Sequence, residues 1–279
     1  MQIIEEMKFI SFIMDILFGI SLKNSKVDSY LFKISTFYVM IYSDENNMYL
    51  NKEVYNMIIL LTNDDGIYSE KIQYAKKILS KYGTVYTVAP SVQQSGKGMA
   101  LTIGGFQFQK IDEFNYSVEG TPVDCVNYSL GGLHLRPDII VSGINNGYNL
   151  GFDTKYSGTL GACFQGQYFG LKTIAFSSDF KGIKMVEAEF EKTFKYVLDN
   201  DLLSDKYTLN VNFPREIEKV SKGIKTTKLF YQKYTYDPDI TENKYVANRK
   251  ILRTEDLPVD ADAYAIRHGY TSISKLSNL

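Results

Sequence analysis

The run Met57-Ile58-Ile59-Leu60-Leu61-Thr62 constrains this chain more than any other feature: it carries no charge and stops on Asn63-Asp64-Asp65-Gly66. A short apolar run closed by a turn signal suits a strand buried on both faces, and such strands belong to parallel sheets covered by helices. Ile72, Ala75, Ile78, Leu79 and Tyr82 follow at helical spacing, Gly83 stands where a glycine would end that helix, and 84–89 is the next strand. Segments 100–103, 106–110 and 116–119 read as a β-hairpin excursion. Thr121-Pro122 supplies an N-cap and a proline at the first helical position of a helix to about 130. Residues 138–142 form a third buried strand, 143–156 a glycine- and asparagine-rich loop, and 157–169 a helix entered through Ser157-Gly158-Thr159. A strand at 173–177, an amphipathic helix marked by Val186, Phe190, Phe194, Val197 and Leu198, and a strand at 209–213 complete the alternation. Beyond Pro214 the pattern becomes β-rich and tyrosine-dense, as at 227–236 and 270–273. The expectation is an α/β fold, Rossmann-like and doubly wound around a mostly parallel sheet, with its core at about 57–213 and a β-rich part at about 214–279.

The first 56 residues read differently. Segment 9–22 is apolar but interrupted by Asp15, too short to span a bilayer, and preceded by Glu5-Glu6 rather than by basic residues, so neither a signal peptide nor a membrane anchor is expected. Two readings stand: an amphipathic helix packed on a partner, or sequence upstream of the domain start, with Met57 directly before the first clear strand.

Composition narrows the chemistry. Across 279 residues, 44% hydrophobic content supports a real core, and 31 Lys and Arg against 32 Asp and Glu leave no global field to draw a nucleic-acid duplex or an anionic membrane. The two cysteines, Cys125 and Cys163, lie in apolar helical stretches, which points to buried thiols in a reducing compartment and so to the cytoplasm. The only histidines are His134 and His268, so a Cys/His zinc site is excluded and a His-dependent triad is poorly supplied.

Four polar segments follow strands or open a helix: 63–66, 93–96, 142–145 and 157–159. In doubly wound sheets ligands bind outside the carboxyl ends of the strands, where such segments meet. Taken alone, Asp64-Asp65-Gly66 is a turn. Placed after a buried strand, two adjacent carboxylates need a positive partner, and with only oxygen ligands at hand magnesium or manganese is the natural choice. Ser95 Oγ and the Asn145 side-chain carbonyl could complete the sphere with waters. Ser157-Gly158-Thr159 is either a plain serine N-cap or an anion site at a helix N-terminus. Asn145, Asn146 and Asn149 form either a flexible turn or a set of amide donors and acceptors, and Lys97 and Lys155 either add local charge or are merely solvated.

In order, these segments resemble the SurE family of survival-protein nucleotidases. The resemblance rests on Ile59 through Ile67, Val88-Ala89-Pro90 with Gln94-Ser95-Gly96, Gly120 through Val126, Pro137 through Asn145, Tyr156-Ser157-Gly158-Thr159, and Ala265 through Ile273. It covers 57–276 and leaves the first 56 residues uncovered. It implies one divalent cation per subunit, magnesium or manganese, held by Asp64, Asp65, Ser95 and Asn145, and a phosphate pocket of Asn149, Ser157, Gly158 and Thr159. It implies hydrolysis of 5′- and 3′-nucleoside monophosphates and sometimes of short polyphosphate, with Asp64 and Asp65 as catalytic groups; either aspartate, with Asp65 favoured, could serve as base or nucleophile, and the sequence does not choose between them. It also implies homodimers or homotetramers built partly through swapped C-terminal β elements. Two departures stand out: Met99 occupies a place where the family carries histidine, and Tyr148 a place where it carries proline. Rival readings fit less well. A haloacid-dehalogenase-type phosphatase places its two aspartates two positions apart with one residue between them, whereas Asp64 and Asp65 are adjacent, a Rossmann dehydrogenase needs three spaced glycines in the first turn, and a magnesium-binding, non-catalytic nucleotide- or phosphate-sensing domain of receiver type expects an aspartate at the end of the third strand, where this chain has Ser142-Gly143-Ile144-Asn145.

Overall fold

The structure is a computed structural model that describes residues 29–34, 37–44, 47–180, 182–215, 219–251 and 257–277. The apolar segment 9–22 lies outside the described residues. The chain divides into two compact units, Met1–Asn56 and Met57–Leu279. In the first, β1 (Ser29–Ile34), β2 (Phe37–Asp44) and β3 (Asn47–Tyr55) form an antiparallel three-stranded sheet. Its aromatic and β-branched residues suit strands, although no strand was expected there.

The second unit is a doubly wound α/β fold around one nine-stranded sheet. Its strands are β4 (Met57–Thr62), β5 (Gly83–Pro90), β6 (Phe108–Lys110), β7 (Asn115–Val118), β8 (Ile139–Asn146), β9 (Lys172–Ser178), β10 (Thr208–Asn212), β11 (Ile224–Thr227) and β16 (Thr271–Leu276), in the order β11-β16-β10-β9-β8-β4-β5-β7-β6. The central pairs are parallel, and β10–β16 and β6–β7 are antiparallel. The chain moves from β4 to β5 and then returns to the other side of β4 as β8. That reversal makes the carboxyl ends of β4 and β8 the topological switch point.

Helices cover both faces. Helix α1 (Glu70–Leu79) packs on β4, β5 and β8 and against α4 (Ile183–Asp199), which lies on β9; α2 (Pro122–Asn127) and α3 (Gly158–Tyr168) pack on each other and on the sheet. Around α2 and α3 the core is aliphatic, with Leu60, Val88, Val126, Ile140 and Ala162 buried together. Beneath α4 it is aromatic: Phe176 meets Phe190 edge-on at 4.8 Å and stacks on Phe213 at 5.9 Å, with Phe190 and Phe194 at 6.3 Å. Thr121 and Asp124 close a capping box at the start of α2, where the sequence placed the cap.

Several boundaries differ from expectation for identifiable reasons. Helix α1 ends at Leu79 with Ser80 as its cap, so Gly83 is not a helix stop. Gly83 instead opens β5 in register with Met57, and a Cβ there would lie 2.0 Å from the Met57 carbonyl oxygen. Residues 100–103 are not a strand; the excursion is the β6–β7 pair alone. Strand β8 runs on to Asn146, across a register shift between Ser142 and Asn145, where a loop was expected. In the C-terminal part, β11 and β16 join the main sheet, while β12 (Tyr234–Tyr236) pairs with β15 (Arg249–Ile251) and β13 (Asp239–Thr241) with β14 (Lys244–Val246). A short helix, α5 (Asp262–Arg267), was not expected, its six residues being too few to establish a period.

Phe190 is fully buried against Phe176 and Phe194. Phe190→Ala is expected to destabilise the protein by roughly 3–5 kcal/mol in urea unfolding, and a loss below about 1 kcal/mol would contradict the packing described.

Candidate active site

The site begins with how β4 ends. The Asn63 side chain is fully buried and brackets the following turn: its Oδ1 accepts from Gly66 N at 3.1 Å, and its Nδ2 donates to Gly66 O at 3.0 Å and to Ser69 Oγ at 2.9 Å. Asn63 therefore does the work of the turn. The carboxylates of Asp64 and Asp65 are left to face the neighbouring loops.

Asp64 is 3% exposed. Its Oδ1 accepts from Thr159 Oγ1 at 2.7 Å, on the first turn of α3. A Cβ on Gly158 would sit 3.0 Å from Asp64 Cβ and 3.3 Å from its Oδ2, so glycine is what lets the helix end come this close. Burial raises the Asp64 carboxyl to about 6 from an ordinary 3.8; hydrogen bonds from Thr159 oppose that rise, and the neighbouring Asp65 charge adds to it. Asp65 is half-buried, and its Oδ2 accepts from Asn146 N at 2.9 Å, which ties the ends of β4 and β8 together at the switch point.

The other expected residues arrive by different routes. Asn145 is buried, and its amide donates to Gly147 O at 2.9 Å, so its orientation is set by its own loop. Ser95 is exposed and accepts from Gln93 Nε2 at 3.0 Å. Its loop is stapled over the acidic pair by Gln94 N to Asp64 O at 2.7 Å, and to the start of α3 by Gly98 N to Tyr156 O at 2.9 Å. Ser157 is a true N-cap, accepting from Leu160 N at 3.1 Å. Its hydroxyl still has a proton to donate. Asn149 is buried over the ends of β9 and β10. Its Nδ2 donates to Ser177 Oγ at 2.8 Å, its N–H to Asn212 Oδ1 at 2.9 Å, and its carbonyl accepts from Asn210 Nδ2 at 2.8 Å.

Two sets of supporting residues escaped the sequence reasoning. Lys71 is 3% exposed on α1 and donates from Nζ to Ser178 Oγ and Asp179 O, both at 2.8 Å. Ser178 O in turn accepts from Gly147 N at 2.8 Å, so this lysine braces the loop that orients Asn145. Its sequence signal was positional: Lys71, Ala75 and Ile78 share the inward stripe of α1. Asn210 and Asn212, polar residues two apart in a buried strand, were the corresponding signal for the cradle around Asn149.

The residues fit a hard cation. Asp64 and Asp65 are adjacent carboxylates, and the donors described above for them are neutral hydroxyl and amide groups, so a positive charge would relieve both burial and mutual repulsion. Among the described residues no group of three or more His, Cys, Asp and Glu comes together. The available set is two carboxylates with hydroxyl and amide oxygens, the ligand type of magnesium and manganese rather than of zinc.

A family model described as "Survival protein SurE" matches residues 59–236. The 5′/3′-nucleotidase SurE of Wigglesworthia glossinidia brevipalpis is 37% identical over 237 residues, covering 80% of this chain and 92% of that protein. The 5′-nucleotidase SurE of Haemophilus influenzae is 35% identical over 228 residues, with 79% and 91% covered. Among solved structures, the SurE protein of Aquifex aeolicus superposes with a TM-score of 0.68 at 33% identity, covering 79% of this chain and 93% of that one.

A carboxyl whose folded pKa lies above its unfolded value is destabilising when ionised, so the metal-free protein gains stability from Asp64 as pH falls through about 6 and loses it as pH rises. In chelator, Asp64→Asn is expected to raise the unfolding free energy at pH 7.5, read from urea denaturation, by at most on the order of 3 kcal/mol, and to have a much smaller effect at pH 4.5. Equal effects at the two pH values would contradict the burial of an ionisable Asp64.

Proposed function

The chain belongs to the SurE family, and from that membership we propose that it is a 5′-nucleotidase that hydrolyses nucleoside monophosphates to nucleoside and phosphate. One observation carries this reading above the rest: the buried Asp64 carboxylate lies at the switch point and is hydrogen-bonded to Thr159 at the N-terminus of α3. An acidic pair and the positive end of a helix dipole then face one space, the arrangement needed to hold a cation and a phosphate side by side.

One magnesium or manganese ion per subunit, held by Asp64, Asp65, Ser95 and Asn145, would polarise the phosphoryl oxygens and lower the pKa of water. The N–H groups opening α3 and the Ser157 hydroxyl hold the phosphoryl oxygens and stabilise the charge that develops on them. Thr159 fixes Asp64 so that its carboxylate cannot swing away. Asp65 is the less buried of the pair and accepts the proton of the attacking water. The new O–P bond forms as the ester P–O bond breaks, and the departing nucleoside oxygen takes its proton from solvent. Met99, on the loop after Ser95, has no proton to offer. Asn149, already bonded through its amide to Ser177, lines the far side of the phosphate pocket.

The same site accommodates 3′-nucleotides and the terminal group of short polyphosphate, since what it grips is the phosphoryl group. The small β12–β15 and β13–β14 ladders are the elements through which homodimers or homotetramers would form. Cys125 and Cys163 are buried and unpaired, which supports a reducing compartment such as the cytoplasm, and among the described residues no helix is long and apolar enough to cross a membrane.

The test is a panel of 5′- and 3′-monophosphates and tripolyphosphate, assayed with magnesium, manganese and chelator, on the wild type and Asp64→Asn. Phosphate release should need a divalent cation and fall by roughly a factor of 1,000 in the variant. Release unaffected by chelator or by the substitution would refute the metal assignment. Binding of monophosphates without turnover under any condition would put the sensing-domain alternative ahead.

A further inference from the structure

A cavity of about 350 Å3 opens on the same edge of the sheet as the acidic pair. One wall is the segment that leads from β8 to α3, with Tyr148 and Phe152; the others include Arg215 after β10, Tyr234 and Arg249 from the β12–β15 ladder, and Arg267 at the end of α5. Asn149, next to Tyr148, bonds the ends of β9 and β10, so this cavity lies over those strands. Neighbouring strands are about 4.8 Å apart, which places β10 roughly 10 Å from β8 and its end of the switch point. That separation suits the two ends of one nucleotide.

The cavity is built rather than incidental. Asp262 is fully buried and ties two of its walls together, accepting from Gly151 N at 2.7 Å and from Phe230 N at 3.1 Å. Phe152, which lines the cavity, is propped edge-on by Tyr156 at 5.7 Å and Tyr231 at 6.0 Å, yet stays 44% exposed. Tyr156 directly precedes Ser157. Arg249 is ion-paired with Asp153 and lies over the rings of Tyr234 at 4.8 Å and Tyr156 at 5.8 Å. Against that one acid the cavity carries three arginines, so it is cationic as well as aromatic. A seam that only anchored the C-terminal strands would have no use for exposed rings and excess guanidinium groups beside a phosphate site. Flat π faces and planar donor forks match a flat ring edged with acceptor atoms, which describes a nucleobase and above all the O6/N7 edge of guanine.

We propose that this aromatic–arginine cavity is the nucleobase subsite of the enzyme and makes it select for a purine with an acceptor edge. The inference rests on the nucleotidase reading above and adds what distinguishes a nucleotide from any other phosphomonoester.

The experiment uses the full chain with Phe152→Ala and, as a rim substitution away from the ring cluster, Arg215→Ala. Guanosine binding is followed by calorimetry in chelator, and KM and kcat are measured for GMP and for glycerol phosphate, which has no ring. Each variant is expected to weaken guanosine binding and to raise KM for GMP relative to that for glycerol phosphate by roughly ten-fold, the loss expected for one stacking or guanidinium contact, while the ratio of the two kcat values holds. Undiminished guanosine binding, or KM values that rise equally for both substrates, would overturn the subsite. A wild type that binds guanosine through Phe152 but releases no phosphate from GMP would keep the subsite and overturn the nucleotidase reading, so the two fail separately. Melting temperatures identify a variant that has lost its fold, in which case the other variant decides.

Discussion

The hydrogen bond from Thr159 Oγ1 to Asp64 Oδ1, 2.7 Å long and shut off from solvent, is the contact on which the rest of the site depends. It joins the end of the first strand of the main sheet to the start of a helix 95 residues later. To form it the helix end must come close, and Gly158, whose Cβ would press on Asp64, is what permits the approach. The carboxylate is thereby held in a place that disfavours its charge, with a second carboxylate beside it. A buried charge left like this is costly, and a bound cation is what would offset the cost. Binding function and local instability are two aspects of one arrangement.

Around that contact the polar groups are layered by role. Asn63 closes the turn and so frees the aspartates from turn-making. Asn146 N holds Asp65, and Gly147 O holds the Asn145 amide. Further out, Lys71 bonds the end of β9, which bonds Gly147, and Asn210 and Asn212 cradle Asn149. Asp65, Asn145 and Asn149 are thus each held by backbone or side-chain groups of a neighbouring segment. Such second layers keep reacting groups within the tolerance that phosphoryl transfer requires.

How much was legible in the chain itself varied with how local the cause was. The buried strands at Met57, 84–89 and 173–177, the Thr121-Pro122 cap and the helix under Phe190 are set by periodicity and capping over a few residues, and they stand where expected. Gly83 was misread because the strand partner that excludes its side chain, Met57, is 26 residues away. The extension of β8 to Asn146 was missed because a glycine- and asparagine-rich stretch signals a loop, whereas pairing with β9 overrides that local preference. The six-residue α5 went unseen because six residues are too few to establish a helical period.

The sequence by itself determined the fold class and the acidic pair at the end of a buried strand, because each follows from residue type and near-neighbour spacing. Only the tertiary structure decided which carboxylate is buried and which is more open, that Asn63 rather than the aspartates makes the turn, that Lys71 braces the asparagine loop, and that an aromatic–arginine cavity lies over the ends of β9 and β10. Those features depend on contacts between segments up to 111 residues apart, and distances across a folded sheet are not encoded in the spacing of residues along the chain.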